Sequence, residues 1–140
     1  MSKSKGISTD DILATLCHSV TGVLSSASGN EISYSAMVQK ITRTCMRPDI
    51  GCFVLFDGGF TGLVVTNFTA QAAMEIYGDY MRNMGMPEEE IAHSHLSDDV
   101  SNVMGELMNQ IVGDFTSKVR EQLHTSITQN QPKMMAINKQ

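Results

Sequence analysis

Basic residues are scarce in this sequence. Lys and Arg number 10 against 15 Asp and Glu, which gives a formal net charge of −5 and a pI near 5.2. This charge, and the lack of a Lys and Arg cluster that could contact phosphate groups, argue against non-specific binding to nucleic acid. Long apolar runs are also missing: the polar N-terminus has no signal-peptide core, and no stretch approaches the roughly 20 residues that cross a bilayer. We therefore expect a cytoplasmic protein that binds neither nucleic acid nor membrane.

Cysteine is equally sparse. Cys17, Cys45 and Cys52 are odd in number, lie in or beside apolar runs and lack the CxxC spacing of metal and redox motifs. Reduced thiols in the core are therefore favoured over a disulfide or a metal site, and they imply a reducing compartment.

None of the four histidines lies in a recognised nucleophile motif, so a Ser-His-Asp hydrolase is not indicated. They are His18, His93, His95 and His124. His93 and His95 precede two aspartates and could imitate a metal site. Their spacing fits no established zinc pattern, however, and surface histidines are the favoured interpretation.

A chain of 140 residues forms one domain with a buried core. Thr9, followed by two aspartates, predicts the start of a helix that runs to about Leu24. Residues 25–30 predict a turn, and residues 31–42 a strand. Residues 52–56 and 60–66 flank Asp57-Gly58-Gly59 and predict a hairpin, because glycine supplies the positive φ of tight turns. Further on, the patterns predict a helix over 70–83 opened by Thr69, a short helical turn over 87–91 and a strand over 133–138.

The dominant element is a long predicted helix from Ser97 to Leu123. Ser97 is a suitable N-cap, and the two aspartates after it place negative charge where the helix dipole favours it. Apolar residues recur at helical spacing and predict one broad buried face. They are Val100, Val103, Met104, Leu107, Met108, Ile111, Phe115 and Val119.

The opposite face of this helix is unusual. At about 100° per residue, Asn102, Glu106, Asn109 and Gly113 fall on one narrow strip, which we call the polar track. No Lys or Arg lies three or four residues from Glu106, asparagine is a poor helix former, and glycine costs about 1 kcal/mol relative to alanine. Either the track is a solvated face that tolerates a glycine, or the glycine lets another molecule approach the carboxylate and the amide closely.

The segment Gly105-Glu106-Leu107-Met108-Asn109 resembles the GExxN signature of the CheC/CheX/FliY phosphatases of bacterial chemotaxis. The family pattern is Asp or Ser, three residues, Glu, two residues, Asn, then 22 residues and Pro, and here Pro132 follows Asn109 at that interval. Asn102 departs from the pattern, since the family has Asp or Ser there. The resemblance is closest to CheX, because the chain has a single ExxN site.

This resemblance implies a fold and an activity. The implied fold is an α/β (α+β) CheC-like layered fold over residues 1–140, in which an antiparallel sheet packs against long helices. The implied activity is hydrolysis of the aspartyl phosphate of a CheY-like response regulator. Asn109 would orient the attacking water, Glu106 would pair with the receiver's lysine, and Asn102 and Gly113 would contact the partner. No cofactor of the protein's own is implied, and Mg²⁺ would be held by the receiver.

A non-catalytic adaptor, or a flagellar-switch-like binding module that uses the same helix for docking alone, is the alternative. The departure at Asn102 and the short C-terminus favour it. The intact pair of Glu106 and Asn109 beside Gly113 favours the phosphatase.

A weak internal sequence repeat supports a pseudo-duplicated fold. Residues 9–12 align with residues 97–100, and the apolar positions that follow in each segment also align. His18 then aligns with Glu106 and Thr21 with Asn109, so the first copy lacks the catalytic pair. After the second copy a final hairpin is missing. Either the natural chain is longer or a partner pairs with an exposed sheet edge, and resemblance to CheX implies a homodimer.

Overall fold

The computed structural model describes residues 8–35 and 49–136, which form three helices longer than one turn and a four-stranded antiparallel sheet. The predicted α+β class is confirmed. In chain order the elements are α1 (Thr9–Ser28), β1 (Ile50–Gly58), β2 (Gly62–Phe68), α2 (Ala70–Asn83), a turn of 3-10 helix (Glu88–Glu90), α3 (Asp98–Gln122), β3 (Ile127–Gln129) and β4 (Lys133–Ala136).

The first helix differs from its prediction at both ends. Its N-cap is Ser8, whose hydroxyl accepts a hydrogen bond from the Asp11 amide at 3.0 Å, so Thr9 is already helical. The helix also continues through residues 25–28, where a turn was predicted. The serines there keep helical backbone, and the Ser28 hydroxyl donates to the Leu24 carbonyl at 2.7 Å. The chain leaves the helix at Gly29, whose φ of 76° lies in the left-handed region that glycine adopts without strain.

The strand predicted over 31–42 is absent from residues 31–35, the described part of this segment. Residues 36–42, like Cys45, lie outside the described residues. The strand predicted over 133–138 is found as β4, of which residues 137 and 138 likewise lie outside the description.

The predicted hairpin is confirmed, and its first strand is the centre of the sheet. β2 pairs along one side of β1, with Leu55 opposite Leu63 and Val54 opposite Val64. β3 and β4 both pair along the other side. The sequence did not predict β3, because a three-residue strand carries too short an alternation to recognise.

A β-bulge joins β3 to β4. Phe56 pairs with Gln129 whereas Phe53 pairs with Lys133, so the register along β1 slips by one residue between the two short strands. Pro132 lies in this interruption. Since proline cannot donate a ladder hydrogen bond, a bulge is one of the few places in a sheet that accepts it.

Asn130 replaces the lost ladder bonds at the bulge. Its backbone amide donates to the Leu55 carbonyl at 3.2 Å, and its side-chain oxygen accepts from the Leu55 amide at 2.8 Å. The proline of the sequence signature therefore lies in a specific backbone irregularity of the sheet.

The core lies between α3 and one face of the sheet. The predicted apolar face of α3 is buried, with Val103 only half-buried and Val112 added. Phe115 is fully buried, and its ring packs edge-on against Phe56 of β1, with ring centroids 5.3 Å apart. α3 also packs against α1, α2, β3 and β4.

The two cysteines within the described residues are free thiols. Cys17 is half-buried on α1, and Cys52 is fully buried on β1. No helix among the described residues has the length and apolar character needed to cross a membrane.

Stability should depend on Cys52 at alkaline pH. Burial raises the pKa of its thiol to about 11, partly offset by hydrogen bonds with Thr66 and the Lys133 backbone. In the unfolded chain this group titrates near pH 8.5. Its contribution to stability is therefore complete below about pH 8.5 and is lost as the pH rises through about 11. We expect the free energy of unfolding, measured in urea, to fall more steeply over this range in the wild type than in Cys52→Ala. Parallel pH profiles would contradict this.

Candidate functional site

The polar track lies on the exposed side of α3. Asn102, Glu106, Asn109 and Gly113 are all exposed, while Leu107 and Met108 between them are buried. The track is rigidly supported because the opposite face of the same helix is embedded in the core. Side chains at i and i+3 on a helix have Cβ atoms about 5 to 6 Å apart, so Glu106 and Asn109 point outward from adjacent positions on one surface.

Glu106 and Asn109 are not used to stabilise the fold. Within residues 8–35 and 49–136, neither side chain makes a hydrogen bond or an ion pair. The acids with ion-pair partners in this part of the chain are Asp79 and Glu88, which pair with Arg82, and Asp114, which pairs with Lys118. A carboxylate and an amide facing solvent without partners are available to another molecule.

Gly113 leaves open space at the end of the track. A Cβ placed on it would meet nothing within 4 Å among the described residues, so packing inside the protein does not require glycine. Gly105 differs, because its Cβ would contact Met134 of β4 at 3.6 Å. Gly113 therefore lowers the stability of the helix, and no contact among the described residues compensates for this loss.

Substitutions at Gly113 should separate stability from docking. Gly113→Ala should raise stability by about 0.5 to 1 kcal/mol, detected as an increase of a few degrees in Tm. Gly113→Gln removes the same helix penalty but adds a long side chain to the polar track. If a partner lies on this surface, the glutamine variant should gain stability and bind the partner less well than the alanine variant. A loss of stability in both variants would show that the glycine has a structural role.

The positions of α1 that align with Glu106 and Asn109 make different contacts. The Thr21 hydroxyl donates to the Cys17 carbonyl of its own helix at 2.9 Å, and the ring of His18 lies edge-on to that of Tyr34, with centroids 5.8 Å apart. The aligned apolar positions of both helices face the core. Those of α1 are half-buried, whereas those of α3 are fully buried. A carboxylate and amide pair is thus present on α3 and not on α1.

His93 and His95 lie in the loop before α3, exposed and half-buried respectively. Among the described residues, no group of three or more His, Cys, Asp or Glu side chains lies close enough together to hold a metal ion.

One feature of the site was not predicted from the sequence. A groove of about 310 Å³ runs between the C-terminal turn of α2 and the first half of α3, and we call it the α2–α3 groove. Its walls are chiefly apolar, and it opens beside the polar track. It is lined by Tyr80, Met81, Met84, Asn102, Val103 and Glu106. The methionines near residue 84 were the available signal, but their position beside Glu106 depends on how two distant segments pack.

Comparison with known families gives a match over almost the whole chain. The family described as "Protein of unknown function (DUF3334)" matches residues 3–140. A comparison with curated protein sequences finds no match.

Solved structures show the same fold. CheX from Desulfovibrio desulfuricans superposes with a TM-score of 0.72 at 20% identity, over 91% of this chain and 79% of that one. A CheC-like superfamily protein from Shewanella sp. PV-4 gives 0.72 at 16% identity, over 93% and 78%. A chain of the CheX-CheY-BeF3-Mg²⁺ complex from Borrelia burgdorferi gives 0.58 at 14% identity, over 90% and 77%. The resemblance to CheC and CheX that the sequence indicated is confirmed for the fold.

Proposed function

We propose that this chain, which belongs to the DUF3334 family of proteins of unknown function and has the CheX fold, dephosphorylates a CheY-like response regulator. The observation that carries the proposal is the exposed pair of Glu106 and Asn109. Both residues lie on the exposed face of α3, whose opposite face is buried in the core. Neither side chain has a partner among the described residues. One similar structure is a complex of CheX with CheY, BeF3 and Mg²⁺, which supports a receiver domain as the partner.

The reaction needs little from this protein beyond positioning. In aspartyl phosphate hydrolysis, water attacks phosphorus in line with the aspartyl oxygen. The phosphorus–oxygen bond to the aspartate breaks, inorganic phosphate leaves and the carboxylate is restored. Charge on the phosphoryl group is met by the receiver's own Mg²⁺ and lysine, so catalysis consists largely of placing the water.

Each residue of the polar track has a role in this proposal. The Asn109 amide can accept a hydrogen bond from the attacking water through its oxygen or donate one through its nitrogen, and so orient it. The Glu106 carboxylate pairs with the receiver's lysine and sets the register of docking. Asn102 contacts the partner one turn before Glu106, and Gly113 lets the partner's backbone come close.

The test is a dephosphorylation assay. A CheY-like receiver encoded by the same genome is phosphorylated, and loss of phosphate is followed with and without the protein. We expect the wild type to accelerate the loss and the Glu106→Ala and Asn109→Ala variants to accelerate it much less. Glu121→Ala is a matched control, because it removes the same charge from an exposed position 15 residues further along α3. Equal decay with and without the wild-type protein would contradict the proposal.

A docking module without catalysis is the second candidate, favoured by Asn102 at a position where the phosphatase signature has Asp or Ser. In that case the protein would bind the receiver without shortening the lifetime of its phosphate. The homodimer implied by the resemblance also stays a prediction, and sedimentation of the purified protein at tens of micromolar measures it.

A further inference from the structure

We infer that the α2–α3 groove is the part of the docking surface that receives an apolar side chain of the receiver domain, next to the contact made by Glu106. This inference rests on the proposed function and adds the residues that provide affinity and partner choice. It concerns Met84 above all, a residue that lines the groove and is 66% exposed.

A receiver that contacts Glu106 and Asn109 as proposed must also cover the groove. Asn102 and Glu106 belong to the polar track and also line the groove, so the two surfaces are continuous. One helical turn advances about 5.4 Å, which places Asn102 and Val103 within roughly one turn of Glu106. A standard interface covers about 800 Å² on each partner, equivalent to a disc of about 16 Å radius. A receiver centred on Asn109 and Glu106 therefore covers the groove.

The chemistry of the groove selects an apolar occupant. The side chains of Tyr80, Met81 and Val103 form its floor and walls and are half-buried against the core. The polar side-chain groups among its lining residues are the Tyr80 hydroxyl, the Asn102 amide and the Glu106 carboxylate. A charged group pushed into such a groove would lose hydration without a partner, whereas an apolar side chain would gain from leaving water.

Met84 is suited to contact a partner and is unnecessary to the fold. It is the C-cap residue of α2, and the fold uses its backbone amide, which donates to the carbonyls of Tyr80 and Met81 at 3.1 Å. Its side chain remains exposed. Methionine is flexible and polarizable, and it is common at surfaces that adapt to a partner. The polar track alone has four residues, too few for a standard interface, so neighbouring exposed apolar surface must supply affinity.

The experiment separates affinity from catalysis. Phosphorylated receiver is titrated to obtain kcat and KM, and binding of the receiver activated with beryllium fluoride is measured by calorimetry. For Met84→Lys we expect KM and Kd to rise about tenfold or more, since a charged group would replace an apolar contact with the receiver, while kcat should fall much less than in Asn109→Ala. Met84→Leu should keep the wild-type affinity. Asn109→Ala should show the opposite pattern, a lower kcat with binding retained.

Leu63→Lys is the matched control. Leu63 is 54% exposed on β2 and lies on the sheet face turned away from the helices, so the same change is made at an apolar site outside the docking surface. We expect its KM and Kd to equal those of the wild type.

Two failures can be told apart. If Met84→Lys binds and turns over like the wild type while Asn109→Ala loses kcat, the groove assignment is overturned and the phosphatase proposal stands. If dephosphorylation does not depend on Asn109, or the wild type does not accelerate it, the proposed function is overturned and this inference with it. A change of sedimentation in Met84→Lys without a change in receiver binding would assign the groove to self-association and also overturn the inference.

Discussion

Asn109→Ala is expected to reduce the rate of receiver dephosphorylation at saturation by about 100-fold, because a water held by one amide loses its in-line position when that amide is removed. Asn109 is exposed on α3 and has no hydrogen bond within the described part of the chain, so its removal should leave the fold intact. The measurement is kcat from phosphate release, with the free energy of unfolding measured in parallel.

The matched control for this prediction is Gln122→Ala. Gln122 is an exposed amide at the last position of α3, 13 residues or about 20 Å along the helix axis from Asn109. Its removal should not alter kcat. An Asn109→Ala variant as active as the wild type would exclude the amide from the reaction and favour the docking module.

Phe115→Ala is expected to lower the free energy of unfolding by about 3 to 5 kcal/mol. Phe115 is fully buried on α3, and its ring meets Phe56 edge-on at 5.3 Å and Phe60 at 6.4 Å. Truncation removes both ring contacts and leaves a cavity where α3 packs on the sheet. Since small domains are stable by only about 5 to 15 kcal/mol, the variant should unfold at much lower urea concentration.

The control for the core prediction is Ser117→Ala, an exposed position two residues further along α3. Its effect should stay within about 0.5 kcal/mol of the wild type. A loss below 1 kcal/mol in Phe115→Ala would mean that the two phenylalanine contacts do not contribute to the core.

Helices α2 and α3 were predictable because their limits depend on local chemistry. Thr69 and Ser97 each accept a hydrogen bond from an amide of the first turn, at 3.0 Å in both cases. Such caps act over three residues, and a sequence window contains them entirely. The end of α1 was missed because residues 25–28 are serines and an alanine, which tolerate either state, and the helix ends where Gly29 permits a left-handed φ.

The bulge at Pro132 and the strand β3 were missed for a different reason. Both are defined by pairing with β1, about 75 residues earlier, as in the hydrogen bonds between Asn130 and Leu55. No local pattern encodes a partner at that separation. The interval between Asn109 and Pro132 was visible in the sequence, but its physical meaning, a slip in the sheet register, was not.

The outward direction of Glu106 and Asn109 follows from helical periodicity alone, since an apolar stripe on one side of a helix leaves the opposite side to solvent. The neighbours of these residues do not follow from periodicity. Met84 and Glu106 line one groove because α2 and α3 pack against each other on the same sheet, and that packing depends on contacts across the whole core. Spacing along the chain thus decides which side chains face outward, and the packing of distant segments decides what surface surrounds them.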